Sequence, residues 1–187
     1  MTSAHGSDNH DALITGDELA RMSDHELTEL IDGRIVPSSP TNSEHGRIEA
    51  TIAAVLYPVV RAQNLGLVMV GDVGIFTRWN PDRVRGAGVV FISHEQYDRR
   101  TKTRAFLDVA PELVGEILSP ERPDTDQKVV EYLAIGVRLV LVLDPETQTV
   151  AAHRPAEAVR LYKQGDAVPC EDALPGFRLP VSGVFNV

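Results

Sequence analysis

Cysteine is almost missing from this chain: Cys170 is the single one in 187 residues, so no internal disulfide can staple the fold. Aromatics are scarce too, at 5% with one tryptophan, which leaves the core to branched aliphatic side chains. No apolar run reaches the roughly 18 residues that a membrane-crossing helix needs, and no charged-then-apolar leader is seen. Together with the lone thiol, these absences read as a cytoplasmic chain without a membrane partner. Positive charge is also short: Lys and Arg number 18 against 27 Asp and Glu, a formal net charge of −9. That balance opposes the counterion-release attraction that draws basic proteins onto a phosphate backbone. Any nucleic-acid contact then has to be local or carried by a divalent cation.

What is present, 43% hydrophobic residues, suffices for the core of one ordinary domain. Residues 1–12 are polar and lack periodicity; they read as a disordered tail, with His5 and His10 solvated rather than metal ligands. Residues 13–187 read as a single domain. Thr15-Gly16-Asp17-Glu18 is a capping box opening a short helix to about Met22. Leu27–Ile31 and Arg34–Val36 flank Asp32-Gly33, the signature of a two-residue type I′ hairpin. Thr41-Asn42-Ser43 then caps a long helix whose Ile48, Ile52, Val55, Leu56 and Val59 form a 3.6-residue stripe ending near Asn64.

Three strand-like runs follow, Leu67–Val70, Val73–Arg78 and Val89–Ser93, with Asn80-Pro81-Asp82 as the turn before the third. After a helical or irregular excursion over His94–Thr103 comes a strand at Leu113–Leu118. A helix then starts at Pro123-Asp124-Thr125-Asp126 and stops at Gly136. Val137–Leu143 is a nearly continuous β-branched and leucine run, as in a strand covered on both faces. Strands at Thr149–His153 and Val159–Tyr162 and a proline-containing tail, Pro169–Val187, complete the chain. The order predicts an α/β fold, a mixed β-sheet flanked by helices with an N-terminal β-hairpin.

The chemistry-bearing positions stand out against apolar surroundings. Glu116 lies between Val114-Gly115 and Ile117-Leu118, so its carboxylate needs a cation or donor if buried. Lys128 sits in the first turns of the next helix, which can fold back over the strand end. Such a pair suits a hard divalent cation with oxygen ligands and a lysine near an attacked phosphate. It also suits a plain buried salt bridge, with Arg138 sharing the carboxylate.

Glu29-Leu30-Ile31-Asp32-Gly33-Arg34-Ile35-Val36, Ser39-Pro40, His45, Arg83-Val84-Arg85, Pro111–Pro120, Lys128–Tyr132, Gly136 and Asp144-Pro145, in this order, resemble the Uma-two family of restriction-endonuclease-like proteins. That family lies in the PD-(D/E)XK nuclease superfamily, and the resemblance covers roughly residues 20 to 180. It implies a restriction-endonuclease-like core, metal-dependent DNA endonuclease chemistry with Mg²⁺ or Mn²⁺, and a homodimer. It further implies a first metal carboxylate at position 88, a second at Glu116 and the catalytic lysine at Lys128. Here the Pro-Asp pair of the family reads Ala87-Gly88, so the resemblance implies a weakened or inactive site with a main-chain carbonyl, that of Ile117, and waters in place of the carboxylate.

Glu49, one turn after His45, is the preferred substitute ligand among Glu49, Asp72, Asp82 and Glu95, against the plainer reading of a solvated helix face or an ion pair. Glu29 and His45 occupy motif positions and are candidates for the cleft wall. Arg83 and Arg85, with Arg78, are candidates for substrate phosphates, or else a solvated edge with Asp82. Tyr132 reads as core, and Trp79 as packing in its turn or a stacking surface for a base. The competing function is a non-catalytic nucleic-acid-binding or protein-interaction homodimer on the same fold.

Overall fold

The computed structural model describes residues 13–23, 28–120 and 123–185. The expected tail, the start of the first strand at Leu27 and the last two residues lie outside them. Helix α1 (Gly16–Leu19) is opened by Thr15, whose side chain accepts from Glu18 N while the Glu18 carboxylate accepts from Thr15 N. Strands β1 (Thr28–Ile31) and β2 (Arg34–Pro37) pair antiparallel across Asp32 and Gly33, both at positive φ (54° and 75°), as a type I′ turn requires. Asn42 caps α2 (Ser43–Ala62) by accepting from His45 N, and the stripe Ile48, Ile52, Leu56, Val60 is buried.

Strands β3 (Gly66–Arg78) and β4 (Arg83–Ser93) form a long antiparallel ribbon. The two expected runs Leu67–Val70 and Val73–Arg78 are one strand interrupted by a bulge at Gly71 and Asp72, both at positive φ. The third run begins six residues earlier than expected, at Arg83, because Arg85 and Gly86 continue the ladder with β3. Gly88 therefore lies inside a strand. After α3 (His94–Arg99), β5 (Leu113–Ile117) pairs antiparallel with β4 and parallel with β6 (Leu139–Asp144). The crossover between β5 and β6 is α4 (Thr125–Ile135), ended by Gly136 at φ 104°. Strands β7 (Thr149–His153) and β8 (Arg160–Tyr162) complete the sheet, in the order β2-β1-β4-β5-β6-β7-β8 with β3 on β4.

The sheet separates two cores. On one face α2 packs with Val89, Phe91, Leu113, Ile117, Leu139, Leu141 and Leu143; on the other α4 packs with Ala87, Val90, Val114, Val140 and Val142. The segment expected as a tail is folded. It forms the hairpin β9 (Ala167–Pro169) and β10 (Arg178–Pro180) and helix α5 (Ser182–Phe185), and it buries Leu174, Phe177, Leu179 and Val184 in the core of α2. Its prolines bound short turns, and its apolar residues, too scattered for either period, complete a surface that α2 leaves open.

Candidate active site

Glu116 and Lys128 meet as the sequence expected. Strand alternation aims Glu116 at α4, where Oε1 accepts from the Tyr132 hydroxyl at 2.9 Å and Oε2 lies 3.7 Å from Lys128 Nζ. The ammonium is closer to two other oxygens, donating to the Gly86 carbonyl at 2.7 Å and meeting Glu29 Oε1 at 2.9 Å. Glu29 reaches in from β1 and also accepts from Gly86 N at 2.9 Å and Arg85 at 2.7 Å. Lys128 and Tyr132 are one helical turn apart, so one face of α4 supplies both donors.

Burial pushes the Glu116 carboxyl above the usual carboxylate range, although Lys128 and the Tyr132 hydroxyl oppose the rise. Burial works against the Lys128 charge too, yet Glu116 and Glu29 outweigh it and hold the ammonium above its ordinary pKa. Glu29, nearer by 0.8 Å, is its main counterion. Tyr132 is raised well above its ordinary value by burial and by Glu116, so it stays a donor.

Position 88 looks the other way. The regular strand β5 sends Leu113 and Ile117 into the α2 core and Val114 into the α4 core, and Glu116 shares the side of Val114. A Cβ built on Gly88 would point at α2, 2.8 Å from Glu49 Oε1, 3.1 Å from the Gly115 carbonyl oxygen and 3.5 Å from Ile117 Cδ1. The carbonyl beside the vacant position is thus that of Gly115, not Ile117, whose side chain fills the same space. Glu49 is paired with His45 Nε2 at 3.3 Å, while His45 Nδ1 is buried without a partner. His45 lines a cavity of about 410 Å³ between the first turns of α2 and α4 and the ends of β5 and β6, reached by Asn42, Ser119, Thr125 and Asp144.

The donor set around Glu116 does not fit a divalent metal. Its oxygens face a hydroxyl and an ammonium, position 88 adds nothing, and Lys128 with Arg85 already neutralises Glu29 and Glu116. Among the described residues no group of three or more His, Cys, Asp or Glu is arranged to hold a metal ion.

The arginines expected at a phosphate are spent on carboxylates. Arg85 is 2% exposed and binds Glu29, Glu131 and Asp124; Arg83 binds Asp32 and Glu131, each at 2.5 Å; Arg78 also meets Asp32. Asp82 accepts from Gly16 N, tying α1 to the turn, and Glu95 pairs with Arg99 on the surface. Arg138 is exposed, near the Asp172 carbonyl, and shares nothing with Glu116. Trp79 stacks on Phe76 with centroids 4.1 Å apart, the packing role of its turn.

Two residues mattered more than their sequence context suggested. Asp72, on the bulge of β3, has its Cβ 3.1 Å from a Cβ built on Gly86, and its charge helps to raise Glu116. The Gly71-Asp72 pair inside an alternating run was its signal. Glu131, one turn after Gln127, collects Arg83, Arg85 and Thr77, and nothing in its helical neighbourhood distinguishes it from a solvated acid.

A mixed sheet with a strand glutamate beside a lysine from the crossover helix defines a restriction-endonuclease-like scaffold. The chain belongs to the Uma2 family, described as "Putative restriction endonuclease", whose profile matches residues 17–182. It is similar in fold to the crystal structure of "a putative nuclease belonging to DUF820" from Anabaena variabilis. That likeness has a TM-score of 0.77 and 22% identity and covers 92% of this chain and 97% of the other. Among curated proteins, none matches. Among the described residues no helix is long and apolar enough to cross a membrane.

Proposed function

We propose that this member of a nuclease family carries a degenerate phosphodiester-hydrolysing centre, with DNA cleavage weakened or lost because Gly88 stands where the family has its first metal carboxylate. Restriction-endonuclease-like proteins typically use divalent metals, Mg²⁺ or Mn²⁺ on this reading. The observation that carries the proposal is the closed group of Glu116, Lys128, Glu29 and Tyr132, in which the Glu116 oxygens face a hydroxyl and an ammonium. No metal-dependent step is assigned to Glu116. Lys128 would have to leave Glu29 before its charge could meet a phosphate, and desolvated pairs of this kind resist opening.

The same closure favours only the non-catalytic part of the second reading, a nucleic-acid-binding or protein-interaction homodimer on the same fold. Arg83 and Arg85, held by carboxylates, argue against a phosphate-reading surface at that turn. Incubating the full chain with plasmid and with single-stranded DNA in Mg²⁺ or Mn²⁺ is the test. The expected result is cleavage no faster than that of a Glu116→Ala variant. Clear cleavage that Glu116→Ala abolishes would overturn the proposal.

A further inference from the structure

We infer that Glu29 is the internal occupant of an anion subsite: Lys128, Arg85 and the Gly86 amide form a cradle for one singly charged oxyanion, and β1 fills it with its own carboxylate, shutting out a phosphodiester. The inference rests on the reading of the Glu116 centre as a degenerate phosphodiester-hydrolysing one. Three observations carry it. The first is convergence. Glu29 Oε1 meets Lys128 Nζ at 2.9 Å and accepts from Gly86 N at 2.9 Å, while Oε2 accepts from Arg85 at 2.7 Å. An ammonium, a guanidinium and a main-chain amide around the oxygens of one group are the donors by which proteins hold phosphate oxygens.

The second observation is access. The side chains of Lys128 and Arg85 are each 3% exposed, whereas Glu29 keeps 12% and lines a cavity of about 300 Å³ with Asp72, Gly74, Gly86 and Phe106. Neither cation is among the residues lining that cavity, so a ligand entering it meets the Glu29 carboxylate first. The third is charge. Glu29 brings one negative charge, as a phosphodiester does, and Asp72 on the cavity wall opposes a second. Without Glu29, Lys128 keeps Glu116 at 3.7 Å and Arg85 keeps Glu131 and Asp124, so the cradle retains its supports. It is then short of one counter-charge in a desolvated place, a strongly destabilising state that an outside anion relieves.

The test is the melting temperature of the full chain in chloride, in acetate and in dimethyl phosphate at constant ionic strength, with circular dichroism to follow folding. The wild type is expected to melt alike in all three. Glu29→Ala is expected to melt lower in chloride and to gain about 2–4 °C in acetate or dimethyl phosphate, once either exceeds its dissociation constant severalfold. Adding Lys128→Met removes that gain. Where Glu29→Ala does not fold in chloride, Glu29→Ser is read beside it, and recovery of either fold by the two anions counts as the same gain.

The inference falls if dimethyl phosphate stabilises neither variant, if it stabilises the wild type equally, or if the Lys128→Met double variant keeps the gain. The DNA assay reads the other proposal separately. DNA cleavage by Glu29→Ala that a further Glu116→Ala abolishes would sink the degenerate-centre reading alone, because the Glu29 carboxylate and not Gly88 would then be the block.

Discussion

Glu131 shows how a single side chain can decide whether neighbouring charges are used inside or outside the molecule. It accepts from Arg85 at 2.8 Å and from Arg83 at 2.5 Å, and so removes both guanidinium groups from any outside ligand. Burial raises its carboxyl, but the bonds from Arg85 and Gln127 win and hold it below the ordinary value of 4.5. A carboxyl lowered in the folded state stabilises the fold fully above 4.5 and loses that contribution as pH falls through the lowered value. Urea midpoints measured across this range should therefore fall less steeply toward acid in Glu131→Gln than in the wild type. Equal slopes would mean that Glu131 is as solvated as an ordinary surface acid. The residues of this network were legible one by one in the sequence, but their pairing was not. Arg83 and Arg85 meet Glu131 across 48 and 46 residues, and no local spacing encodes such contacts.

At the scale of elements, the strong local signals had local causes. The capping box at Thr15, the Asp32-Gly33 turn and the α4 stop at Gly136 each rest on a few neighbouring residues, and all three formed where expected. Glu116 and Lys128 were legible as a pair because a strand and its following crossover helix are constrained to pack together. Two elements were misread for tertiary reasons. Strand β4 extends back to Arg83 because β3 pairs with it there, and residues 169–185 fold because α2 offers an apolar surface. That packing makes a quantitative expectation. Leu174 is fully buried against the α2 core, so Leu174→Ala should cost about 2–5 kcal/mol in chemical denaturation. A loss below about 0.5 kcal/mol, the size of an ordinary surface change, would mean that the segment is only loosely attached.

For the whole molecule, charge sets the limit on what it can bind. The chain carries a net charge of −9, and many of its arginines are committed to internal or surface pairs. Fluorescence anisotropy on a labelled duplex of arbitrary sequence at physiological salt should give a dissociation constant no tighter than about 1 µM, the strong end of non-specific binding. Nanomolar binding would reveal a basic surface that these pairs leave free. The helix that carries His45 and Glu49 is closed over by residues 173–185, more than 110 positions later in the chain. During synthesis the greasy side of that helix must wait, uncovered, while most of the polypeptide is still being made. Native contacts so distant along the chain also make folding slow. The nascent protein is thus exposed to chaperones and proteases along the apolar side of α2 until that late segment arrives.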